Sequence, residues 1–290
     1  MHTTPDIAKL GSRPPLSLID ARLQLHHAAQ ILQAAADALL TNQPDDSHAA
    51  LNFHADSAAL STQPLPNDYT LSLILPTPLL MLTDASQNII TETPLLGLTI
   101  ADALDWTARQ LEHFLPSHPT PPDIQLRLRN YELPFHHVLE DEPFRLKYPH
   151  HFDEVARYFS FAHRLLDLFT RNLPNTSPIH VWPHHFDIAT LIYLDPDMPP
   201  QKSRTIGLGL SPGDKHIPAP YLYITPYPTN NINPNTLPTP PHHTAWASTF
   251  LGLTIPATEI LAIPHEHRIP TLIETLTQST ILTRQLLSNT

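Results

Sequence analysis

The chain has 290 residues, among them 34 Pro, 6 Gly, 20 His and no Cys, and carries a formal net charge of −11. Without Cys there are no disulfide frameworks, thiol catalysis or cysteine-ligated zinc, and an acidic balance without a Lys/Arg cluster argues against a nucleic-acid partner. No apolar run is long enough to cross a bilayer, and Met1 to Pro15 lacks the apolar core of a secretory leader, so no membrane partner is expected and a cytoplasmic location is.

The first element is a helix near Asp20–Leu40. Ser17 and Asp20 stand at capping-box spacing, and Leu25, Ala29, Leu32, Ala36 and Leu39 fall on one stripe. Pro44 closes it. Extended segments follow at Ala49–Leu60, Tyr69–Leu75, Pro78–Thr83 and Asn88–Thr91, with a hairpin turn expected over Asp84–Asn88. Thr99 and Asp102 form a second capping box, opening a helix to about Leu115. Residues 116–122 hold four Pro and read as a linker, dividing the chain into halves at 1–116 and 123–290.

The second half opens with a strand at Ile124–Leu128. A helix near Phe152–Asn172 buries Phe152, Val155, Phe159, Leu166 and Phe169. Strands are expected at Ser177–Tyr193, Thr205–Leu210 and Tyr221–Thr225, then a solvated loop over Pro226–Pro241. A terminal helix begins around Pro270, which is tolerated in a first turn. Short turns between strands favour antiparallel pairing, so the class is α+β, with mostly antiparallel sheets flanked by helices. Residues 52–60 can be laid beside 183–191, and Leu96–Ile100 beside Leu251–Ile255. An internal duplication and chance likeness of short strings both account for these echoes.

Gly209-Leu210-Ser211-Pro212-Gly213 matches the G-x-S-x-G nucleophile elbow in letters only. That motif needs a helix after Ser and a backbone N–H on the next residue, which Pro212 lacks. Pro212-Gly213 reads instead as the centre of a type II turn. Five His-His pairs occur, yet only three Val (Val138, Val155, Val181), a skew that points to biased coding and makes the His count a weak pointer to metal. Adjacent residues on a strand face opposite ways, so such a pair cannot chelate one ion there. His185 and Asp187 share a strand face, with His180, Trp182, His184 and Phe186 on the other, unless Pro183 resets the parity. His26 and His27 belong to the first helix, one ring nearer the apolar face and one nearer solvent.

Several segments together resemble an uncharacterised bacterial family of domains of unknown function. These are Ser177-Pro178-Ile179-His180, Trp182, Phe186-Asp187-Ile188-Ala189, Pro212-Gly213-Asp214, the aromatic strand Tyr221-Leu222-Tyr223 and Leu253–Glu259. The likeness runs along most of the chain. Where members carry Trp-Gly-Ser before Phe-Asp, this chain has Trp182-Pro183-His184-His185. The matched polar residues are therefore His180, Asp187 and Asp214. The resemblance implies a coherent fold and brings no activity.

The residues support two functional readings. The first is a protein that binds a small molecule or another protein and has no chemistry of its own, since no catalytic constellation is complete. The second is a metal-assisted or acid–base enzyme. In it His180, Asp187 and Asp214 would serve catalysis, while His185 and His216 would ligate a divalent metal.

Overall fold

The computed structural model describes residues 5–115 and 123–288. The expected linker at 116–122 lies outside the described residues. The fold is α+β, with two antiparallel sheets and helices before and after each in the chain. Contacts divide the chain into two compact units. One takes Met1–Pro5, Ser17–Arg157 and Val181–Phe186, and the other Asp6–Leu16, Tyr158–His180 and Asp187–Thr290.

In the first unit, helix α1 (Ile19–Leu39) precedes a meander of β1 (Asn52–His54), β2 (Ala59–Ser61), β3 (Thr70–Ile74), β4 (Leu79–Thr83) and β5 (Ile89–Pro94), closed by α2 (Ile100–Phe114). The period of two sorts each strand into an apolar and a polar face. Phe53, Leu60, Leu73 and Leu80 form one row across the sheet and are buried, on the side where α1 meets β3. Removing that apolar area from water is what holds the sheet, at about 1.5–3 kcal/mol for each fully buried Leu or Phe. Asn52, Ser61, Ser72, Met81 and Glu92 form the parallel row on the opposite face.

Two expectations for α1 need correction. The residue at its start is Leu18, with no side-chain cap, because Asp20 turns away to accept from Gln24 Nε2 at 3.0 Å and His136 Nε2 at 3.2 Å. Neither His26 nor His27 faces solvent: every residue from Ala21 to Ala36 is buried. Gln24, His26, His27 and Gln30 find carbonyls on irregular, Pro-containing segments that run past the helix. His27 Nε2 lies 3.0 Å from the Pro134 carbonyl, while His26 Nε2 and Gln30 Nε2 reach that of Pro183 at 2.9 and 2.7 Å. Gln24 brackets Arg145, donating to its carbonyl and accepting from its N–H. The capping box at Thr99 and Asp102 forms as expected.

The segment 123–136 contains no strand, contrary to the expectation at Ile124–Leu128. Side chains hold it instead. The Arg129 guanidinium donates to both carboxylate oxygens of Asp37 at 2.6 and 2.7 Å and to Asp46 at 2.8 Å. A planar fork matched to a carboxylate is the strong form of ion pair.

The later strands are β6 (His180–Trp182), β7 (Asp187–Tyr193), β8 (Thr205–Ser211), β9 (Tyr221–Tyr227), β10 (Ala245–Trp246) and β11 (Leu253–Pro256), in the sheet order β10-β11-β9-β8-β7-β6. Helix α3 (Pro149–Thr170) precedes them, and α4 (Ala257–Ala262) and α5 (His265–Ser288) follow. Helix α5 starts five residues before Pro270, at the cost of one backbone hydrogen bond. Ile188, Leu210, Leu222 and Ile255 form a buried apolar row, and α5 meets β8 and β9. Both halves thus run helix, antiparallel meander, helix. The sequence echo of 52–60 with 183–191 is nevertheless three residues out of step with the two hairpins, since β2 begins at Ala59 and β7 at Asp187. Leu96–Ile100 leads into α2, whereas Leu251–Ile255 runs into β11, so that second echo joins unlike elements.

Candidate functional site

Asp187 begins β7, is buried, and accepts from the Tyr223 hydroxyl. Tyr223 projects from β9 over Gly209 of β8, where a Cβ would lie 2.4 Å from the phenol oxygen. Gly209 is therefore the vacancy that lets the hydroxyl reach Asp187. Burial, with the Asp187 charge beside it, pushes the Tyr223 phenol well above its usual range. Asp214 accepts from the backbone N–H groups of His216 at 2.6 Å and Ile217 at 2.7 Å, and from the Tyr221 hydroxyl. Desolvation opposes its ionisation, but these three donors outweigh it and hold the carboxyl below its ordinary value. Both carboxylates are thus fixed by tyrosines from one strand, Asp187 against the sheet and Asp214 as the brace of the turn after β8. Gly213 in that turn has φ +111, as the sequence required.

The imidazoles do not complete a metal site. His180 is half-buried on β6, while His185 and His216 are exposed, and the nearest ring to His185 is His184, 4.2 Å away between centroids. Among the described residues, no group of three or more His, Asp or Glu is disposed to hold a metal ion. The enzyme reading has His180, His185, Asp187, Asp214 and His216 work together, whereas Asp187 and Asp214 are each held by a tyrosine, Tyr223 and Tyr221. The reason lies in the register: β9 supplies two phenols as donors, and each carboxylate takes its own.

The open polar surface lies elsewhere, on the face of the five-stranded sheet turned from its Leu row. A groove of about 390 Å³ runs there from the β1–β2 turn to the β4–β5 turn. Its floor carries the buried hydroxyls of Ser61, Thr62, Ser72 and Thr83, and its rim the exposed His54, Asp56 and Gln87. Ser61 donates to the Thr62 carbonyl at 3.2 Å and lies 2.7 Å from His54 Nε2. Thr62 Oγ1 accepts from the Leu71 N–H, and Thr83 Oγ1 donates to the Thr70 carbonyl. The hydroxyl of Ser72, a residue between Ser61 and Met81 in register, hydrogen-bonds to nothing among the described residues and opens to the groove. Desolvation holds the His54 imidazole below its ordinary value, so the ring is neutral at pH 7. The His54–Ser61 contact has the length of a nucleophile–base pair. However, Ser61 is only 1 % exposed, and no described group orients the other ring nitrogen. It is a hydrogen bond of the lining.

No family model matches the chain, no curated protein matches it, and no solved structure matches it. The sequence signal for the groove was the alternation Thr70-Leu71-Ser72-Leu73, one polar position in two. Period two shows that a strand has a polar face, but the Asn52–Ser61–Ser72–Met81 row needs the register of four strands. Among the described residues, no helix is long and apolar enough to cross a membrane.

Proposed function

We propose that this is a binding protein without chemistry of its own, and that it takes a small polar ligand in the groove of the five-stranded sheet. The observation that carries this reading is Ser72: a hydroxyl at the centre of a concave face, between Ser61 and Met81 in register, and given no hydrogen-bond partner among the described residues. A buried or half-buried polar group normally has one, so a site with unspent capacity is where a ligand gains most. The carboxylates of the alternative centre are turned to the scaffold, Asp214 toward the Tyr221 hydroxyl and two backbone N–H groups and the buried Asp187 toward the Tyr223 hydroxyl. A cytoplasmic location belongs to the same proposal and rests on composition.

The test is a thermal-shift screen of small polar compounds against the wild-type protein, Ser72→Phe, which fills the groove, and Asn52→Leu, which removes an amide from its wall without adding bulk. Compounds that raise the melting temperature of the wild type and lose the effect in both variants support the reading. Equal stabilisation of all three proteins overturns it.

A further inference from the structure

The hydrogen-bonding character of the groove narrows the ligand class, an inference that rests on the groove being the binding site. Ligand classes differ in what they ask of a wall. A phosphate or carboxylate asks for donors and positive potential, and an ammonium asks for acceptors and negative potential. A hydroxyl both donates and accepts, and is matched by groups that do the same. No Lys or Arg lines this groove. Ser, Thr, Asn and Gln side chains dominate it, and every one of them both donates and accepts. Asp56 at the rim is the one carboxylate of the lining and, as an acceptor only, suits a hydroxyl donor.

Shape points the same way. The groove lies on a sheet face, where the main-chain N–H and C=O groups are committed to the β1–β4 ladders. An extended peptide gains affinity from main-chain pairing at a sheet edge, which a face cannot offer. Met81, at the end of the Asn52–Ser61–Ser72 row, supplies a half-buried apolar surface beside the hydroxyls. A ring with hydroxyls on its perimeter and C–H groups on its face meets both kinds of surface at once.

We infer that the groove between the β1–β2 and β4–β5 turns binds a short neutral saccharide, with Ser72 and Asn52 hydrogen-bonding its hydroxyls and Met81 packing on its C–H face.

The experiment uses the full chain, labelled with ¹⁵N, and follows amide resonances as four probe sets are added at millimolar concentration. The sets are neutral disaccharides (maltose, cellobiose and lactose), glucose 6-phosphate, spermidine and an uncharged tetrapeptide. The expected result is shifts confined to β1–β4 with at least one disaccharide, weakened about tenfold in Ser72→Ala, a loss typical of one hydrogen bond. Retained folding of the variant is checked by its unperturbed resonances elsewhere. Disaccharides that move no groove resonance overturn the saccharide inference. If the tetrapeptide, spermidine or the sugar phosphate then moves those resonances, the groove remains the site with another ligand class. Should disaccharides shift residues outside β1–β4 only, the groove itself is overturned as the site.

Discussion

Gly209 has no side chain because Tyr223 needs the space. A Cβ there would stand 2.4 Å from the phenol oxygen and 2.8 Å from the Ile188 carbonyl oxygen, and the latter is backbone that cannot swing aside. Gly209→Ala should therefore destabilise the protein by about 1–3 kcal/mol, the usual cost of overpacking, read as a lower urea midpoint. Asp214→Ala leaves the Tyr221 hydroxyl and two turn N–H groups without their acceptor. Tyr221 is 5 % exposed, so we expect a loss of about 1–3 kcal/mol by the same measurement, with the groove of the five-stranded sheet unaltered. A thermal-shift hit that binds in the groove should bind this variant as it binds the wild type. Sequence reading singled out Asp187 and Asp214 because a carboxylate near imidazoles is a common seat of chemistry. What it lacked was the register that brings Tyr221 and Tyr223 to them. Side chains 7 and 36 positions away along the chain supply the donors, and no local spacing reveals such a pairing.

Local chemistry was most legible where it was self-contained. The α2 capping box needs only Thr99 and Asp102, three residues apart, and it formed. Thr99→Ala should cost about 1 kcal/mol, measured by urea unfolding, with circular dichroism showing the other helices intact. The start of α1 was misread for the opposite reason. Asp20 has competing partners in Gln24 and His136, the second of them 116 positions away, and the distant donor changed its role. The strand expected at Ile124–Leu128 failed likewise. Its alternation of apolar and polar residues was real, but the segment finds no strand to pair with, and Arg129 ties it to Asp37 and Asp46. The α+β class and the antiparallel meanders were legible, because turn residues and periodicity recur along the chain. The polar side of α1 was not, since burying Arg22, Gln24, His26, His27, Gln30 and Gln33 on one helix runs against ordinary amphipathic patterning.

For the molecule as a whole, the imidazoles of His26, His27 and His184 are an acid-sensitive load. Desolvation depresses His26 to about 3 and His27 to about 4, and His184 likewise to about 4, all from an ordinary value near 6.5. These rings stay neutral in the folded chain while they protonate in the unfolded one. The unfolded state therefore takes up more protons below pH 6.5, and stability is whole above that pH and falls as pH drops toward 4. Each such ring contributes a slope of up to about 1.4 kcal/mol per pH unit in that window. Urea midpoints measured from pH 7.5 to 4.5 should fall steeply below 6.5. In the double variant His26→Gln/His27→Gln the decline should be shallower, since an amide keeps a donor for the carbonyl and does not titrate.

The way α1 is held also turns the usual expectation of mutational tolerance around. Its His and Gln donors grip the carbonyls of Pro134 and Pro183, and every amino acid carries a carbonyl. Those two prolines are thus exchangeable wherever the backbone can keep its path, whereas the helix positions admit few alternatives. Among relatives that diverge, drift should accumulate in the rigid, Pro-marked coverings and be refused by the polar residues beneath them.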